Sequence, residues 1–448
     1  MIGVDKTSNF PNKRGTFSMP SSHTLDRVAV TFDDDHAVAN AGLLLTASLA
    51  QHLELEALAD DLVRLDGRPG AGNEGAKVMT LVHAIALGGD CIDDVDLLRS
   101  GSTAAVVAHR VMAPSTVGTF LRSFTFGHVR QLDRLLGDAL GRAWAAGAGP
   151  GDAPMTIDLD STIEEVHGYA KQGATFGHTR QRGYHPLVAT RAETGEVLHC
   201  RQRTGKANTA RGAIRFVDEL VARVRRAGAT GELTLRADSG FWSNKLIRAC
   251  VRHKMRFSLT VRAFPKVKDA IAAIGDDAWV DIDYTLGGRA QLAETTLDGH
   301  RLIVRRTRLV GRQAELWPEW RHHGFITNRE GDMVDLDGDH RAHAVVELAI
   351  RDLKEGSGWN HAPSGKFMAN SAWLVIAALA HNLLRWTALI GGLASSTVVA
   401  KTIRRRYLTL PGRLTRSARR TTLHLPSRWP ASRAFLAALA RIRAVALC

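Results

Sequence analysis

The sequence predicts an α/β protein. A mixed-sheet core interrupted by a β-rich insertion follows an all-helical N-terminal domain and precedes a basic helical C-terminal region. Three observations carry this. Apolar residues recur at helix spacing through 37–150, strand and helix patterns alternate through 151–262, and positive charge gathers at the end of the chain.

At 448 residues the chain is long enough for two or three domains and a sizeable core. Its 45% hydrophobic and 23% charged residues are ordinary for a globular protein. Cys91, Cys200, Cys250 and Cys448 show no C-x-x-C spacing, so neither a zinc site nor a disulfide framework is expected, and a reducing, cytoplasmic location fits. The N-terminal MIGVDKTSNFPNKRG lacks the apolar centre of a secretory signal. The most apolar helical run, 372–380, stops at His381 and Asn382, well short of the roughly twenty residues a membrane span needs. It reads as a buried helix.

Net charge is +14, and its location matters more than its size. Glu355 is the last acidic residue, and 14 Lys and Arg follow it, which leaves 45 basic against 45 acidic residues in 1–355. Arginines with no acidic neighbour in sequence suit a polyanion, most simply nucleic acid.

Taken in order, residues 1–36 read as a flexible polar arm ending in Asp33-Asp34-Asp35. Residues 37–150 read as a helical DNA-binding domain, from Leu43, Leu44, Ala47 and Ala50 through Val78, Leu81, Val82 and Ile85. Within it, 103–120 has the pattern of a helix-turn-helix: an apolar helix, Met112-Ala113-Pro114, then Ser115 capping a second helix. The same pattern also suits an ordinary helix pair. Gly147-Ala148-Gly149-Pro150-Gly151 is the clearest linker.

Residues 151–262 form the first part of the core. A strand at 155–162 is followed by a hairpin of 187–191 and 197–202, an amphipathic helix over 208–227, a strand at 233–237, a helix at 243–253 and a strand at 256–262. Residues 263–324 change to β patterning and read as an insertion. The core resumes over 325–390 with a helix at 339–355, and 391–448 is the Arg-rich end.

The chemistry centres on carboxylates. In Met155-Thr156-Ile157-Asp158-Leu159-Asp160-Ser161-Thr162 the two Asp share one face of a strand. Carboxylates on a central, buried strand need a cation or hydrogen bonds; on an edge they are merely solvated. Asp238 ends the fourth strand. In the 339–355 helix, at ~100° per residue, His340, His343, Glu347, Arg351 and Lys354 share one stripe opposite Ala342, Val346, Ala349, Ile350 and Leu353. If the hairpin strands precede two parallel ones, the first and fourth strands are neighbours and their acids meet, with the helix alongside. Three hard oxygen ligands suit Mg²⁺ and phosphoryl transfer.

At these residues the chain resembles the DDE transposases of bacterial insertion sequences, of the cut-and-paste type with a ribonuclease-H-like core. The likeness rests on Asp160-Ser161-Thr162, on Arg236-Ala237-Asp238-Ser239-Gly240-Phe241, and on Glu347 with Lys354, which match the Glu and Lys of a Y-x2-R-x3-E-x6-K pattern. His340 and His343 stand where that pattern has Tyr and Arg. The resemblance implies catalytic and metal-binding roles for Asp160, Asp238 and Glu347, with Asp158, His343, Arg351 and Lys354 in support. The family pattern, an acid directly before the Ser/Thr pair, favours Asp160 over Asp158. It further implies paired Mg²⁺ ions, replaceable by Mn²⁺, that activate water to nick element ends, after which the 3′-hydroxyl attacks target DNA. The partners implied are double-stranded terminal inverted repeats and target DNA, bound by a homodimer near the nucleoid and away from any membrane. Arg404, Arg405, Arg406, Arg413, Arg416, Arg419 and Arg420 would grip the DNA backbone. Trp residues in Leu316-Trp317-Pro318-Glu319-Trp320 either hold a flipped base or pack in a core.

Three other readings compete: a ribonuclease-H-like nuclease without strand transfer, a catalytically retired DNA-binding regulator, and a glycoside hydrolase with a carboxylate pair. The helical region argues against the first, the complete acid set against the second, and the arginine tail against the third.

Overall fold

The computed structural model describes residues 25, 28–177, 180–284, 288–309, 319–394 and 397–446. The chain divides into two units, Met1–Asp35 and His36–Cys448. The arm read over 1–36 lies largely outside the described residues; those of the first unit that are described are exposed, with Thr31 Oγ1 donating to Asp33 Oδ1 at 3.0 Å.

The second unit opens with the short strand β1 (Ala37–Val38) and helices α1 (Leu44–His52), α2 (Leu55–Leu62), α3 (Glu74–Ala86), α4 (Pro114–Arg122) and α5 (Phe126–Ala143). Their inner faces are the apolar positions read from spacing, and Leu49, Leu55, Val78, Leu81, Val82 and Ile85 are fully buried. The first helix of the expected helix-turn-helix is absent. Only a 3₁₀ turn, Thr103–Val106, forms there. Pro114 holds Ala113 extended, at φ −73° and ψ 155°, and sits at the first position of α4, so Ala113 and not Ser115 begins that helix.

The strands and helices that follow are β2 (Met155–Ser161), β3 (Glu164–Glu165), β4 (Thr175–Phe176), β5 (Arg182–Tyr184), β6 (Leu187–Arg191), β7 (Val197–Arg201), α6 (Ala213–Ala227), β8 (Leu233–Ala237), α7 (Asn244–Arg252) and β9 (Arg256–Thr260). Then come α8 (Pro265–Ala272), β10 (Val280–Ile282), β11 (Gly288–Leu297), β12 (His300–Leu309) and β13 (Arg321–Thr327). The chain ends with α9 (Met333–Arg341), α10 (Val345–Gly356), α11 (Phe367–Ile390), α12 (Ala400–Ile403), β14 (Gly412–Ser417), β15 (Arg420–His424) and α13 (Ser432–Arg443).

Among the described residues one mixed sheet has the order β10-β11-β12-β13-β9-β8-β2-β6-β7. β2, β8 and β9 run parallel and the remaining pairs antiparallel. β2 is therefore central, and first and fourth core strands are neighbours, as the sequence predicts. The strands of the 263–324 region do not stand apart. They continue the same sheet, because β13 pairs with the edge of β9 through Phe325–Thr260, Ile326–Leu259 and Thr327–Ser258. That pairing covers an edge that would otherwise expose unpaired backbone.

Two helices differ from expectation. The 339–355 helix begins earlier, at Met333, where the Asp332 carboxylate accepts from the Val334 and Asp335 N–H groups. It is then broken by a tight turn, Ala342–Ala344, before α10. The apolar run at 372–380 belongs to a much longer α11, which passes straight through His381 and Asn382. Asn382 accepts from Val197 N–H at 2.7 Å and donates to its carbonyl at 2.8 Å, and His381 Nε2 meets the Gly195 carbonyl at 3.0 Å. These polar groups clasp the β6–β7 turn. The helix is long and apolar enough to cross a membrane, yet 89% of its apolar window is buried inside the molecule.

The C-terminal region is not wholly helical. β14 and β15 form a hairpin on β1, and only α12 and α13 supply the expected helix. Thr415, Thr421 and Thr422 favour strand there.

Candidate active site

β2 and β8 run parallel with Asp158 opposite Arg236 and Leu159 opposite Ala237. Asp160 and Asp238 therefore leave the same, carboxyl end of two neighbouring strands. Glu347 sits in the first turn of α10. Asp160 senses the other two. Burial pushes the Asp160 carboxyl up to about 6; a 2.6 Å hydrogen bond from Ser161 N–H and the charge of His343 oppose the rise, while Asp238 and Glu347 add to it. Asp238 accepts from Gly240 N–H at 2.9 Å. Both Asp238 and Glu347 are exposed.

Among the described residues none of these three carboxylates is paired with an Arg or Lys. Two buried acids elsewhere are so paired, Asp133 with Arg223 at 2.7 Å and Asp352 with Arg385 at 3.0 Å. Acids that no Arg or Lys ion-pairs, offering only hard oxygen donors, are of the kind a divalent cation takes. The oxygens of the three are spread more widely than those of Asp90–Cys91–Asp94 and Asp133–His199–Glu219, whose ligand atoms lie within 4.8 Å of one another. The latter group is already neutralised by Arg130, Arg201 and Arg223. In the former, Asp94 is engaged in accepting the Asp90 and Cys91 N–H groups.

Asp158 is not free to act as a ligand. It is fully buried, receives Arg236 Nε at 2.8 Å and Nη2 at 2.9 Å, and has His343 Nδ1 at 2.8 Å. Arg236 also donates to the Asp339 carbonyl and, at 3.2 Å, to its carboxylate. β2, β8 and the α9–α10 bend are thus tied through one guanidinium. Sequence reading assigned Arg236 no role, although pairing the first and fourth strands in register sets it against Asp158. A second group it passed over is His185. That ring donates to or accepts from Ser161 Oγ at 3.0 Å and meets the Ala207 carbonyl at 2.7 Å, anchoring the residue after Asp160.

The polar stripe of the helix divides: His340, His343 and Lys354 turn inward to the strands and the chain beside them, while Glu347 and Arg351 are exposed. His340 is stacked on Phe325 at 4.1 Å and bridges Ser258 Oγ at 2.7 Å and Thr260 Oγ1 at 3.0 Å. Burial, then the charges of His343 and the nearby arginines, pushes it down to about 3, so it is a neutral core group. Lys354 is half-buried and donates to the Ile163 carbonyl at 2.7 Å. Burial lowers its pKa, against the opposing charges of Glu164 and Asp160. Arg351 is exposed and has no partner among the described residues.

Beside Asp238 opens a groove of about 640 Å³ lined by Lys206, Asn208, Trp242, Arg262 and Phe264. Of the seven arginines expected on DNA, Arg404 is spent inside the molecule, donating to the carbonyls of Ile85, Ala86 and Gly356. Arg405, Arg406, Arg413, Arg416, Arg419 and Arg420 are exposed. Trp317 lies outside the described residues. Trp320 carries Arg306 and Arg308 over its ring, each at 4.6 Å.

A family model described as Transposase DDE domain group 1 matches residues 21–447. No curated protein matches the chain. Among solved structures, a cryo-EM structure of piggyBac transposase synaptic complex with hairpin DNA is similar at 12% identity and a TM-score of 0.48, over 82% of this chain and 79% of that one.

Proposed function

Since the chain belongs to the transposase DDE domain group 1 family, we propose that it cuts the ends of a bacterial insertion sequence and joins them to target DNA, with Asp160, Asp238 and Glu347 as the catalytic set on a ribonuclease-H-like core. The placement of Asp160 and Asp238 at one end of two neighbouring parallel strands, with Glu347 near enough to act on Asp160 and no Arg or Lys ion-paired to any of the three among the described residues, supports this most. They would hold Mg²⁺ or Mn²⁺. When bound, the metal supplies charge neutralisation at the attacking and leaving oxygens of an in-line displacement.

The chain's own residues do the rest. Arg351 and Lys354, on successive turns of α10, hold phosphate oxygens near the scissile bond. Asp158, His343 and Arg236 fix the spacing of the acids and take no part as ligands. The groove beside Asp238 admits the strand to be cut. Residues 37–150 recognise the terminal repeats and 391–448 bind duplex DNA, with Arg404 left out of that surface. A homodimer on the two element ends, working in the cytoplasm at the nucleoid, completes the reading.

The test is Asp238→Asn, checked for native circular dichroism, in a cleavage and joining assay on a marked element end in Mg²⁺. Loss of both activities is expected. Retained cleavage overturns the catalytic set. Cleavage by the wild type with no joining leaves a nuclease instead.

A further inference from the structure

The β14–β15 hairpin carries charge that the catalytic set does not use. β1 covers only its base, pairing Ala37 with Arg413 and Val38 with Gly412, and the Leu414 N–H donates to the His36 carbonyl at 2.9 Å. From Thr415 to Thr422 the ribbon has no further strand partner among the described residues. Register sorts its side chains by face. Leu414–Leu423 and Arg416–Thr421 lie on one side; Arg413–His424, Thr415–Thr422 and Ser417–Arg420 lie on the other. The turn passes through Ala418, at φ +52°, and places Arg419 at the tip.

Arg416, Arg419 and Arg420 are exposed and form no ion pair among the described residues, and no Asp or Glu follows Glu355 in the sequence. Charges on a bare ribbon also discourage edge-to-edge association. That purpose needs one charge of either sign, and it does not account for cations alone around a face of short hydroxyls.

We propose that this hairpin enters the major groove of duplex DNA. A two-stranded ribbon fits that groove, which is about 12 Å wide. Thr415, Ser417, Arg420 and Thr422 face base edges, where hydroxyls pair with several bases and arginine pairs with guanine O6 and N7. Arg416 and Arg419 reach the flanking phosphates. The inference rests on the reading of the chain as a DNA-acting transposase, and adds to it the element that reads sequence.

The experiment uses the full chain carrying Asp238→Asn in metal-free buffer, so that binding is measured apart from cleavage. Fluorescence anisotropy with a pool of random-sequence duplexes is followed across a salt series. Arg416→Gln with Arg419→Gln is expected to flatten the slope of log K against log salt by about 1.8, or ~0.9 for each lost phosphate contact. On a sequence selected from that pool, dimethyl sulfate protection of guanine N7 is expected and is lost in Arg420→Ala. Each variant is first matched to its parent in circular dichroism and thermal midpoint. An unchanged slope overturns the proposal, as does protection confined to adenine N3 in the minor groove. Loss of binding only to structured RNA or to phosphatidylglycerol vesicles overturns it too. Flattened slopes alongside an active Asp238→Asn enzyme would keep the ribbon and discard the catalytic set; the reverse pattern would do the opposite.

Discussion

Glu164 shows how a single side chain near the site stores a pH dependence. It lies just past Asp160, is 3% exposed, and accepts from Gln202 Nε2 at 2.5 Å. Burial pushes its carboxyl up to about 8, against the Gln202 hydrogen bond and the charges of Lys171 and Lys354. An unfolded Glu titrates near 4.3. The folded protein therefore holds a proton that the unfolded chain has released, and the stability this gives is full below the unfolded value and is lost as pH rises toward 8. Above that it levels off. Glu164→Gln removes the titration, keeps an acceptor for Gln202, and offers an N–H to the unpartnered Gln202 Oε1. The stability advantage of this variant over the wild type is expected to be small near pH 4 and to grow to on the order of 5 kcal/mol near pH 8.5, read as a widening gap in thermal midpoint. A gap that does not widen with pH would remove the assignment. Glu164 was not legible as a special residue, because nothing in Thr162-Ile163-Glu164-Glu165 distinguishes the carboxylate that turns inward from its exposed neighbour. The positions of Asp160 and Asp238 at the carboxyl ends of neighbouring strands were legible from the strand pattern, whereas the preference for Asp160 over Asp158 came from the family resemblance.

At the scale of elements, the Asp158–Arg236 pair decides how β2, β8 and α9 sit together. The two residues are register partners on parallel strands, and Arg236 extends to Asp339 at the end of α9. Both side chains are almost fully enclosed, so removing one leaves the other charged and buried. Arg236→Met is expected to cost about 3–5 kcal/mol in chemical denaturation. The double variant Asp158→Leu, Arg236→Met removes both charges and is expected to recover much of that loss. Its cleavage rate stays low, because His343 and the α9–α10 bend have lost their anchor. A double variant as unstable as the single one would show that the pair matters only for packing. The strand order behind this pair follows from local chemistry in the sequence: a Gly turn joins the hairpin, and helices separate the parallel strands. The β11–β12 hairpin is similarly marked by Asp298-Gly299, both at positive φ in a two-residue turn. The helix-turn-helix misled because its period matched a helix while Pro114 and the Thr80 Oγ1 bond to Met112 N–H, at 3.1 Å, hold the preceding chain extended. Proline's effect was visible in sequence; the tertiary bond was not.

Across the whole second unit, the arrangement follows from two structures that sequence periodicity sees only in part. α11 is buried along nearly its entire length and packs against α3, α5 and β7, so the helical region and the sheet share one core. The 263–324 region reads as a separate piece because its pattern changes, but pairing partners lie far away in sequence and leave no local trace. Its strands instead lengthen the central sheet through β13 and β9. A separate domain would melt on its own; a continuous sheet cannot lose β10–β13 without baring the edge of β9. Trp279 and Trp320 report on the insertion through their stacking on Arg306, while Trp359, Trp373 and Trp386 report on the α11 core. Denaturant unfolding is expected to be coincident in far-ultraviolet circular dichroism and in the fluorescence of variants that keep only one of these two tryptophan groups. A transition of the Trp279–Trp320 variant at clearly lower denaturant would mean that the shared strands do not couple the two parts. Coincidence ties the grooved end near Asp238 to the far β strands as one cooperative body, through the β13–β9 pairing that joins them.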